Sequence, residues 1–525
     1  MIPQTPPIHP FNGFDVAALL RVRAETRPDH PFIIWEPFEG AGETWTYARF
    51  HRDARRLAAG LARRGVRPGE RVLIHLDNCP ETLLAWYACA VLGAVAVTTN
   101  ARSSADELGY FATHSRAVAA ITQPRFAELV NGASRDFRFV AVTAHDNGAP
   151  PAPGFSPGRS EMFEALYGEE ADAPRRAPDP SHPMGVQYTS GTTSRPKGVL
   201  WTHANALWGA RVNALHEDLR ADDVHLVHLP LFHTNAQAYS VLATLWAGGT
   251  AVIVPRFSAS RFWPVSLKRR CTWTSLIPFC VKALMAVEKP ASHSYRLWGS
   301  AVCEPPSDAH FGVRTIGWWG MTETITHGIV GDVHLPNTPL SCGRPAPEYG
   351  IAIQDDEGRD VGSGETGHLL VRGVPGLSLF AEYLDNPQAT ADAYDEQGLF
   401  RTGDRVTLME TGAIAFADRD KDMLKVGGEN VAASEIERVV MAVPGVREAA
   451  VVAKPHPMLD EAPVVFVIAE EGAASNLLPD RIMAACASGL ANFKVPHEVR
   501  LVPDMPRSTL EKVAKAQLRQ MLRDG

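Results

Sequence analysis

Residues 187–201 read QYTSGTTSRPKGVLW, a stretch rich in threonine, serine and glycine that contains the run Arg-Pro-Lys-Gly. Between residues 189 and 194, five of six side chains carry a hydroxyl group, and Lys197 adds an ammonium group on a flexible stem. An ordinary polar surface turn is the alternative interpretation, but apolar and β-branched residues flank the loop on both sides. Hydroxyls, backbone N–H groups and one lysine together suit a polyphosphate. We therefore predict a phosphate site formed by Thr189, Ser190, Gly191, Thr192, Thr193 and Lys197.

The order of residues in this loop excludes a P-loop, in which serine or threonine follows the lysine. Here Gly198 follows Lys197 and Pro196 precedes it. The loop instead resembles the phosphate-binding signature of the adenylate-forming enzymes, a family that includes acyl-CoA synthetases, the adenylation domains of peptide synthetases and luciferases. The resemblance covers residues 15–520. It implies an α/β fold with a large N-terminal domain of layered α/β subdomains, a small β-rich subdomain, and a small mobile α+β C-terminal domain.

The composition limits the classes of protein to which the chain can belong. Its 525 residues exceed what one hydrophobic core supports, and its formal net charge of −8 argues against nucleic acid as a partner. The most apolar segment, residues 83–97, is shorter than the ~18 residues that span a membrane. We therefore predict no membrane segment here, but a buried helix that turns at Gly93 into a strand. Seven cysteines without a C-x-x-C pair argue against disulfides or a cysteine zinc site and favour a reducing, cytoplasmic setting.

Hydrophobic periodicity divides the chain near residue 420. Residues 44–145 and 222–320 alternate short apolar runs with helix-like stretches, which indicates layered α/β structure. From about residue 343 the pattern changes to short strands and turns, and GSGETG at residues 362–367 is interpreted as a turn between strands, not as a dinucleotide site. Beyond residue 420 we expect a compact α+β unit, with a capping box formed by Ser434 and Glu437. The predicted domains are residues 1–420 and 421–525.

A second motif, GWWGMTETITHG at residues 317–328, combines flat aromatic side chains with a hydroxyl and a carboxylate. Near a triphosphate, Thr322 and Glu323 suit Mg²⁺, which prefers oxygen ligands, and Trp319 offers a face for stacking a base. The alternative is that both tryptophans are core residues and Glu323 is solvated. The motif resembles the family's aromatic-Gly-x-Thr-Glu sequence, which implies adenine at Trp319, phosphate at Thr322 and the metal at the catalytic Glu323. The predicted nucleotide site also includes Ser300, Ala301, Trp318, Gly320 and Met321.

For two further short motifs, a function is implied only by the resemblance. FRTGD at residues 400–404 implies that Asp404 holds the ribose hydroxyls with help from Arg419. DRDKD at residues 418–422 implies a hinge at Lys421, about which the C-terminal domain would rotate between two half-reactions. After that rotation, CoA is expected to meet Gly427, Gly428 and Glu429.

MPRSTLEKVAK at residues 505–515 resembles the motif that carries the family's catalytic lysine, which falls at Lys512. Glu511 stands where the family has glycine, and it places a negative charge next to the lysine. A non-glycine residue at positive φ costs ~1 kcal/mol, so either the loop is less mobile or its conformation does not need positive φ. Lys515 is the second candidate.

The acid is expected near PLFHTNAQ, residues 230–237, where the family has an aromatic–His pair beside the acyl carboxylate. This implies a role in catalysis for His233, although a core histidine is the alternative. A zinc site with His225 and His228 is disfavoured, because no carboxylate accompanies them. The predicted acyl pocket is lined by Trp208, His233, Asn235, Gln237 and Trp298, with Ser300 and Trp318 beside it. The tryptophans would either limit the depth of the acyl pocket or flank a ring of the acid.

Three stretches, SASRFW at 258–263, RGVPGLSLFAEYLDNPQAT at 372–390 and VGGENVAASEIE at 426–437, most resemble the crotonobetaine/carnitine-CoA ligase branch. The implied function is ATP-dependent ligation with Mg²⁺: a carboxylic acid becomes acyl-AMP with release of pyrophosphate, and coenzyme A then takes the acyl group. An acyl carrier protein is the alternative acceptor. A non-enzymatic nucleotide binder and a luciferase-like oxygenase are further alternatives, and a homodimer stays open.

Overall fold

The computed structural model describes residues 9–189, 196–419, 422–426, 429–457, 459–473, 476–490, 494–507 and 513–524. These residues form two compact units. The large unit comprises the described residues up to Thr189 together with Pro196–Ile351 and Val371–Phe400. The small unit comprises Ala352–Leu370 and the described residues from Arg401 onward. The domain boundary near residue 420 stays a prediction.

Strands and helices alternate along most of the described chain. The strands are β1 Pro31–Trp35, β2 Glu43–Thr46, β3 Arg71–His75, β4 Val95–Thr98, β5 Ala117–Thr122, β6 Val140–Val142, β7 Glu161–Met162, β8 Pro183–Thr189, β9 Lys197–Thr202, β10 Val224–Val227, β11 Thr250–Ile253, β12 Trp273–Ser275, β13 Leu297–Ser300, β14 Thr315–Gly320, β15 His327–Val330, β16 Arg344–Pro345, β17 Gly350–Gln354, β18 Thr366–Arg372, β19 Glu382–Tyr383, β20 Phe400–Leu408, β21 Ile414–Arg419, β22 Met423–Val426, β23 Glu429–Ala432, β24 Val446–His456, β25 Asp460–Ala469 and β26 Glu498–Leu501.

The α-helices of the described residues are α1 Val16–Thr26, α2 Tyr47–Arg63, α3 Pro80–Leu92, α4 Ala105–Ser115, α5 Ala127–Ala133, α6 His203–His216, α7 Ala243–Ala247, α8 Ala259–Arg269, α9 Pro278–Met285, α10 Ser307–Phe311, α11 Pro387–Asp392, α12 Ala433–Met441, α13 Leu478–Gly489 and α14 Lys515–Asp524. A π-helix, Asn235–Leu242, leads directly into α7. Short 3₁₀ turns cover Pro124–Phe126, Phe163–Leu166 and Glu170–Asp172.

The large unit contains two sheets, which confirms the α/β prediction. In the described residues, one sheet has nine strands in the order β16-β15-β14-β13-β12-β10-β11-β1-β2, and the other has eight in the order β19-β9-β8-β4-β3-β5-β6-β7. The inner strands run parallel, and antiparallel strands lie at every edge except that of β7, which is parallel to β6. Parallel strands need helical crossovers on both faces of a sheet, which is why apolar strands alternate with helices in the sequence.

The apolar segment at residues 83–97 folds as predicted. Its first part lies in α3, which is buried on nearly every side. The helix ends at Gly93, whose φ of +81° lies in the left-handed region that glycine adopts without a Cβ clash, and β4 follows at once. No helix of the described residues is long and apolar enough to cross a membrane.

The small unit contains most of a four-stranded sheet in the order β17-β18-β20-β21, and a second sheet in the order β23-β22-β25-β24 with β26 beside β25. GSGETG forms a turn before β18, with Gly364 at a φ of +85°, so its interpretation as a turn is confirmed. Ile436 and Val440 of α12 are buried in an apolar cluster with β24 and β25, as the helical spacing predicts.

The predicted capping box is wrong. Helix α12 begins at Ala433, so Ser434 lies inside its first turn and not at the N-cap. The Ser434 hydroxyl donates to the Ala417 carbonyl at 2.5 Å. The Glu437 carboxylate accepts the backbone N–H of Val451 at 2.7 Å. Both side chains form hydrogen bonds with partners that are distant in sequence, and local spacing cannot reveal such partners.

Candidate active site

The predicted phosphate loop joins the ends of two paired strands. Thr189 is the last residue of β8 and pairs with Lys197, the first residue of β9, in an antiparallel register. The Thr189 hydroxyl donates to the Lys197 carbonyl at 3.4 Å. Ligands of α/β proteins bind outside the carboxyl ends of parallel strands, and β8 is parallel to β4. The loop therefore begins at the expected edge. Ser190, Gly191, Thr192 and Thr193 lie outside the described residues.

A tyrosine links the lysine of this loop to the predicted metal ligand. Glu323 is buried, and its Oε1 accepts a hydrogen bond from the Tyr383 hydroxyl at 2.9 Å. The Lys197 ammonium lies 4.5 Å from the centroid of the Tyr383 ring, within the range of a cation–π contact. Burial and the Glu323 charge raise the pKa of Tyr383 well above its usual value, so it stays a proton donor. Lys197, Tyr383 and Glu323 thus form one continuous array.

Tyr383 is a member of this array that the motifs did not reveal. Its strand β19 pairs with β9, opposite Val199, and this pairing places the ring beside Lys197. The stretch FAEYLDNPQAT resembles one branch of the family, but nothing in it indicates which strand it will join. The backbone N–H of Phe380 also donates to the Glu323 carbonyl at 2.8 Å, so this segment fixes both the backbone and the carboxylate of Glu323.

A buried chain of polar side chains joins Thr322 of the second motif to Gln237 of the predicted acyl pocket. The Thr234 hydroxyl lies 3.3 Å from the Thr322 hydroxyl and donates to Gln187 Oε1 at 2.8 Å. Gln187 Nε2 donates to Gln237 Oε1 at 2.5 Å. Trp201 fixes the backbone of Thr322 by donating from its Nε1 to the Thr322 carbonyl at 3.0 Å. The sequence pointed to Thr322 and Gln237 but not to the two residues that connect them.

His233 lies immediately before this chain. Its backbone N–H donates to the Pro230 carbonyl and its own carbonyl accepts from Gln237, so it occupies the turn that opens the π-helix. The half-buried imidazole contacts the Phe232 ring at a centroid distance of 4.2 Å. Asn235 is the first residue of the π-helix and is also half-buried. π-helical turns concentrate at functional sites, which agrees with the placement of the acid here.

The two tryptophans of the second motif point to opposite faces of β14, because side chains alternate along a strand. Trp318 stacks on His327 at 4.3 Å and 15°, and it lies parallel to Trp273 at 5.9 Å. Trp319 packs over Gly328, where a Cβ would come 3.0 Å from its ring. Both indoles are less than a tenth exposed. Gly320 is needed next to them, because a Cβ there would lie 2.4 Å from the Tyr239 hydroxyl.

Known proteins match this arrangement of motifs. A model of the AMP-binding enzyme family matches residues 20–384, and a model of the AMP-binding enzyme C-terminal domain matches residues 435–512. The chain belongs to the AMP-binding enzyme family. A crotonobetaine/carnitine–CoA ligase from Escherichia coli is 33% identical over 505 residues, which cover 93% of this chain and 95% of the relative.

Solved structures support the same family. ATP-bound MatB from Rhodopseudomonas palustris superposes with a TM-score of 0.83 and 25% identity, over 97% of this chain and 99% of that one. A benzoate CoA ligase from Burkholderia xenovorans LB400 has a TM-score of 0.83 and 26% identity, over 96% and 100% of the two chains. This AMP-binding enzyme is an ATP-dependent acyl-CoA ligase, an acid–thiol ligase of the AMP-forming type.

Two of the predicted acyl-pocket residues of this AMP-binding enzyme contact other aromatic side chains. Trp298 points to the face of the sheet opposite Trp318, where it packs against Phe311 at 5.0 Å and Tyr295 at 5.5 Å. Trp208 donates from its Nε1 to the Tyr349 hydroxyl at 3.2 Å. Their place in the acyl pocket stays a prediction. Among the predicted nucleotide-site residues, Ser300 at the end of β13 is buried, and Ala301, which follows it, is exposed. Met321 is half-buried.

In the small unit, the predicted ribose residues lie on adjacent strands. Asp404 of β20 stands opposite Arg419 of β21 in the strand register, and Asp404 is buried. The Thr402 hydroxyl accepts from the Asp404 backbone N–H at 3.1 Å and donates to the Leu369 carbonyl at 2.7 Å, which fixes the backbone of β20 at Asp404. The pairing could not be read from the two short motifs separately.

Most of the site residues predicted for the C-terminal domain lie beyond the described part of the chain. Lys421, Gly427, Gly428 and Lys512 lie outside the described residues, and Glu429 opens β23. The second candidate lysine, Lys515, forms an ion pair with Glu437 at 2.8 Å. An ammonium already engaged by a carboxylate of its own unit is a poorer catalytic cation than a lysine on the predicted loop.

The histidines that might have formed a zinc site with His233 are core residues. His225 and His228 are almost fully buried, and burial lowers the pKa of each to about 3. The described residues contain no group of three or more His, Cys, Asp or Glu side chains that could hold a metal ion. A single buried carboxylate is nevertheless a normal protein contribution to a Mg²⁺ site, since substrate phosphates supply other ligands.

Proposed function

We propose that the enzyme forms its acyl-adenylate at the carboxyl end of β8, between the phosphate loop and Glu323. The observation that carries this proposal is the array of Lys197, Tyr383 and Glu323 at the end of the loop. The Lys197 ammonium suits the negatively charged triphosphate, and the fixed Glu323 carboxylate suits the Mg²⁺ that accompanies it. The hydroxyls and backbone N–H groups of residues 189–193 complete the proposed phosphate site.

Glu323 and Thr322 are the proposed protein ligands of Mg²⁺. Both offer oxygen atoms, Glu323 is held by Tyr383, and Thr322 is fixed through its carbonyl by Trp201. The residues present therefore fit a hard cation that takes most of its remaining ligands from phosphates and water. When bound, the ion would neutralise negative charge that develops on the phosphate oxygens.

In the proposed first step, a carboxylate oxygen of the acid attacks the α-phosphorus of ATP. The bond from this phosphorus to the bridging oxygen breaks, pyrophosphate leaves, and acyl-AMP forms. Lys197 and Lys512 stabilise the growing charge electrostatically, while Asp404 and Arg419 hold the ribose. Trp319, with the residues around it in β13 and β14, is the proposed stacking surface for adenine.

In the second step, the CoA sulfur attacks the acyl carbon, AMP leaves with the electron pair of the acyl–oxygen bond, and the thiol proton passes to solvent. The proposed C-terminal domain, residues 421–525, turns about Lys421 and brings Gly427, Gly428 and Glu429 to the thiol. These roles come from the resemblance of the motifs, and the family supports CoA as the acceptor.

The acid carboxylate is placed beside His233, Asn235 and Gln237. The support is the chain of hydrogen bonds from Thr322 through Thr234 and Gln187 to Gln237, which connects the start of the π-helix with the proposed Mg²⁺ ligand Thr322. An acid held there would present its carboxylate to the α-phosphate. The relatives named for crotonobetaine and carnitine make small polar acids the first class to test.

The test is pyrophosphate release across fatty, aromatic, steroid and betaine acids, with the mass of the CoA thioester measured in parallel. We expect release that depends on both the acid and Mg²⁺, and a thioester only when CoA is present. Release of pyrophosphate without any thioester, restored by a carrier protein, would contradict the choice of acceptor. No release with any acid would contradict the proposed site.

Two further proposals concern the setting of the enzyme. A cytoplasmic location is supported by the seven cysteines, which are all buried free thiols. A homodimer stays a prediction, and sedimentation velocity of the full chain would test it.

A further inference from the structure

Gln187 lies at the centre of the buried chain of polar side chains. It belongs to β8, two residues before Thr189, where the phosphate loop begins. Its Oε1 accepts a hydrogen bond from the Thr234 hydroxyl at 2.8 Å, and its Nε2 donates to Gln237 Oε1 at 2.5 Å. The side chains of Gln187, Thr234 and Gln237 are less than a tenth exposed, so bulk water competes little with these bonds. Both polar atoms of Gln187 are therefore engaged, one toward each end of the chain.

The hydrogen atoms of this chain are donated in one direction. Because Gln187 Oε1 carries no hydrogen, the single hydrogen of the Thr234 hydroxyl is donated to it. The 3.3 Å contact between the Thr234 and Thr322 hydroxyls can then use only the hydrogen of Thr322. Trp201 holds the Thr322 carbonyl, so this hydroxyl turns on a fixed backbone. With its hydrogen directed to Thr234, the Thr322 oxygen presents lone pairs on its remaining side, as a metal ligand must.

Turning over both glutamine amides would reverse the chain. Gln237 Nε2 would donate to Gln187, Gln187 Nε2 would donate to Thr234, and Thr234 would donate to Thr322. The two directions use the same contacts and differ only at the ends. In the reversed direction, Gln237 presents an accepting oxygen to a ligand, and Thr322 turns its hydrogen outward. A carboxylate can only accept hydrogen bonds, so an acid beside Gln237 favours the direction in which Gln237 keeps its Nε2 as a donor.

We propose that Gln187 is a positioning residue that couples binding of the acid to binding of Mg²⁺–ATP. The inference rests on the acid and metal sites proposed above and goes beyond them, because it assigns a role to a residue outside both. The acid fixes the direction of the chain at Gln237, Gln187 transmits it, and Thr322 then offers its lone pairs to the cation. By thermodynamic linkage, Mg²⁺–ATP must strengthen binding of the acid by the same factor. For a chain of three hydrogen bonds we expect a factor of about 5 to 10.

The test measures this factor without turnover. The probe is the Mg²⁺ complex of α,β-methylene-ATP, in which a carbon replaces the bridging oxygen, so the bond that adenylation breaks stays intact. Its Kd is measured by isothermal titration calorimetry with and without a saturating amount of the acid that releases pyrophosphate fastest in the panel above. In wild type, the acid should lower this Kd by about 5- to 10-fold. Gln187→Met keeps the length of the side chain and removes both hydrogen-bonding atoms, so the acid should change its Kd by less than about twofold.

Substitutions at Thr234 separate the two ends of the chain. Thr234→Val has the same shape without the hydroxyl and should also lose the coupling, whereas Thr234→Ser keeps the hydroxyl and should retain it. In Thr234→Val, Gln187 can still donate to Gln237, so the KM for the acid should stay within about twofold of wild type. The Mg²⁺ concentration at half-maximal adenylation rate should rise roughly 2- to 10-fold, because the Thr322 hydroxyl loses its acceptor. A substitution that only loosened the fold would not divide its effects in this way.

The matched control is Thr244→Val. Thr244 is a buried threonine just beyond the π-helix, and its hydroxyl contacts His225 and not the chain of Gln187. This variant should keep the wild-type coupling factor and Mg²⁺ dependence, and loss of coupling here too would overturn the proposal. It would also be overturned by a wild type whose Kd is the same with and without the acid, or by a folded Gln187→Met or Thr234→Val enzyme that keeps the coupling. If Gln187→Met does not fold, the Thr234 pair decides. Absence of pyrophosphate release from wild type with every acid contradicts the proposed function itself, and this inference falls with it.

Discussion

Removal of the Tyr383 hydroxyl tests whether the array of Lys197, Tyr383 and Glu323 positions the carboxylate for adenylation. Tyr383→Phe keeps the ring, and with it the 4.5 Å contact to the Lys197 ammonium. It removes only the donor that holds Glu323 Oε1 at 2.9 Å. Because Glu323 is buried, water cannot easily replace this donor.

The expected magnitude follows from the hydrogen bond. A hydrogen bond to a charged group contributes about 1.5–3 kcal/mol, and each 1.36 kcal/mol of lost stabilisation lowers a rate about tenfold. If the full contribution is expressed in the transition state, adenylation should slow roughly 10- to 100-fold. The Mg²⁺ concentration at half-maximal rate should rise as well, because the proposed ligand loses its orientation.

The assay is single-turnover acyl-adenylate formation over a range of Mg²⁺ concentrations. Thioester formation from supplied acyl-adenylate is measured separately and should stay within about twofold of wild type, because by the proposed mechanism that step needs no metal-bound phosphate. Tyr394→Phe is the matched control. The Tyr394 hydroxyl is buried and has no hydrogen-bond partner in the described part of the chain, although burial and the Glu323 charge raise its pKa. Because it makes no hydrogen bond to Glu323, its removal should slow adenylation far less than removal of the Tyr383 hydroxyl.

Three outcomes would refute this reasoning. One is a folded Tyr383→Phe enzyme with adenylation and Mg²⁺ dependence within twofold of wild type. Another is an equal loss in Tyr383→Phe and Tyr394→Phe, which would indicate general loosening of the segment. The third is a loss confined to thioester formation.

Further predictions concern the lysine, the packing and the pH dependence. Lys512→Ala should abolish adenylation from ATP yet spare thioester formation from supplied acyl-adenylate, and equal loss of both would contradict its role. Gly299→Ala should lower the free energy of unfolding by about 1–3 kcal/mol, measured by denaturant titration, because its Cβ would enter the Trp318 ring. Because burial holds the pKa of His225 and His228 at about 3, the unfolded chain takes up protons below pH ~6.5. Thermal stability should therefore fall as the pH drops from 6.5 toward 3, and replacing both histidines with glutamine should flatten that slope.

The fold class and the order of the motifs could be predicted from the amino-acid sequence, and the resemblance of those motifs implied the reaction. Spacing between apolar residues follows the period of a strand or a helix, so the alternating elements were readable directly. Motifs such as the phosphate loop and the stretch around Glu323 keep their chemistry in consecutive residues. Residues 83–97 folded as expected because the helix, the glycine stop and the strand are all local features.

Contacts between side chains that are distant in sequence became visible in the folded chain alone. Tyr383 reaches Glu323 because β19 pairs with β9. Gln187 and Thr234, which are 47 residues apart, hydrogen-bond to each other and connect Gln237 with Thr322. Trp298 and Trp318 looked equivalent as pocket residues, yet strand alternation sends them to opposite faces. Ser434 turned to a distant carbonyl and not to its own helix. Long-range pairing depends on the packing of whole sheets, and no local spacing encodes it.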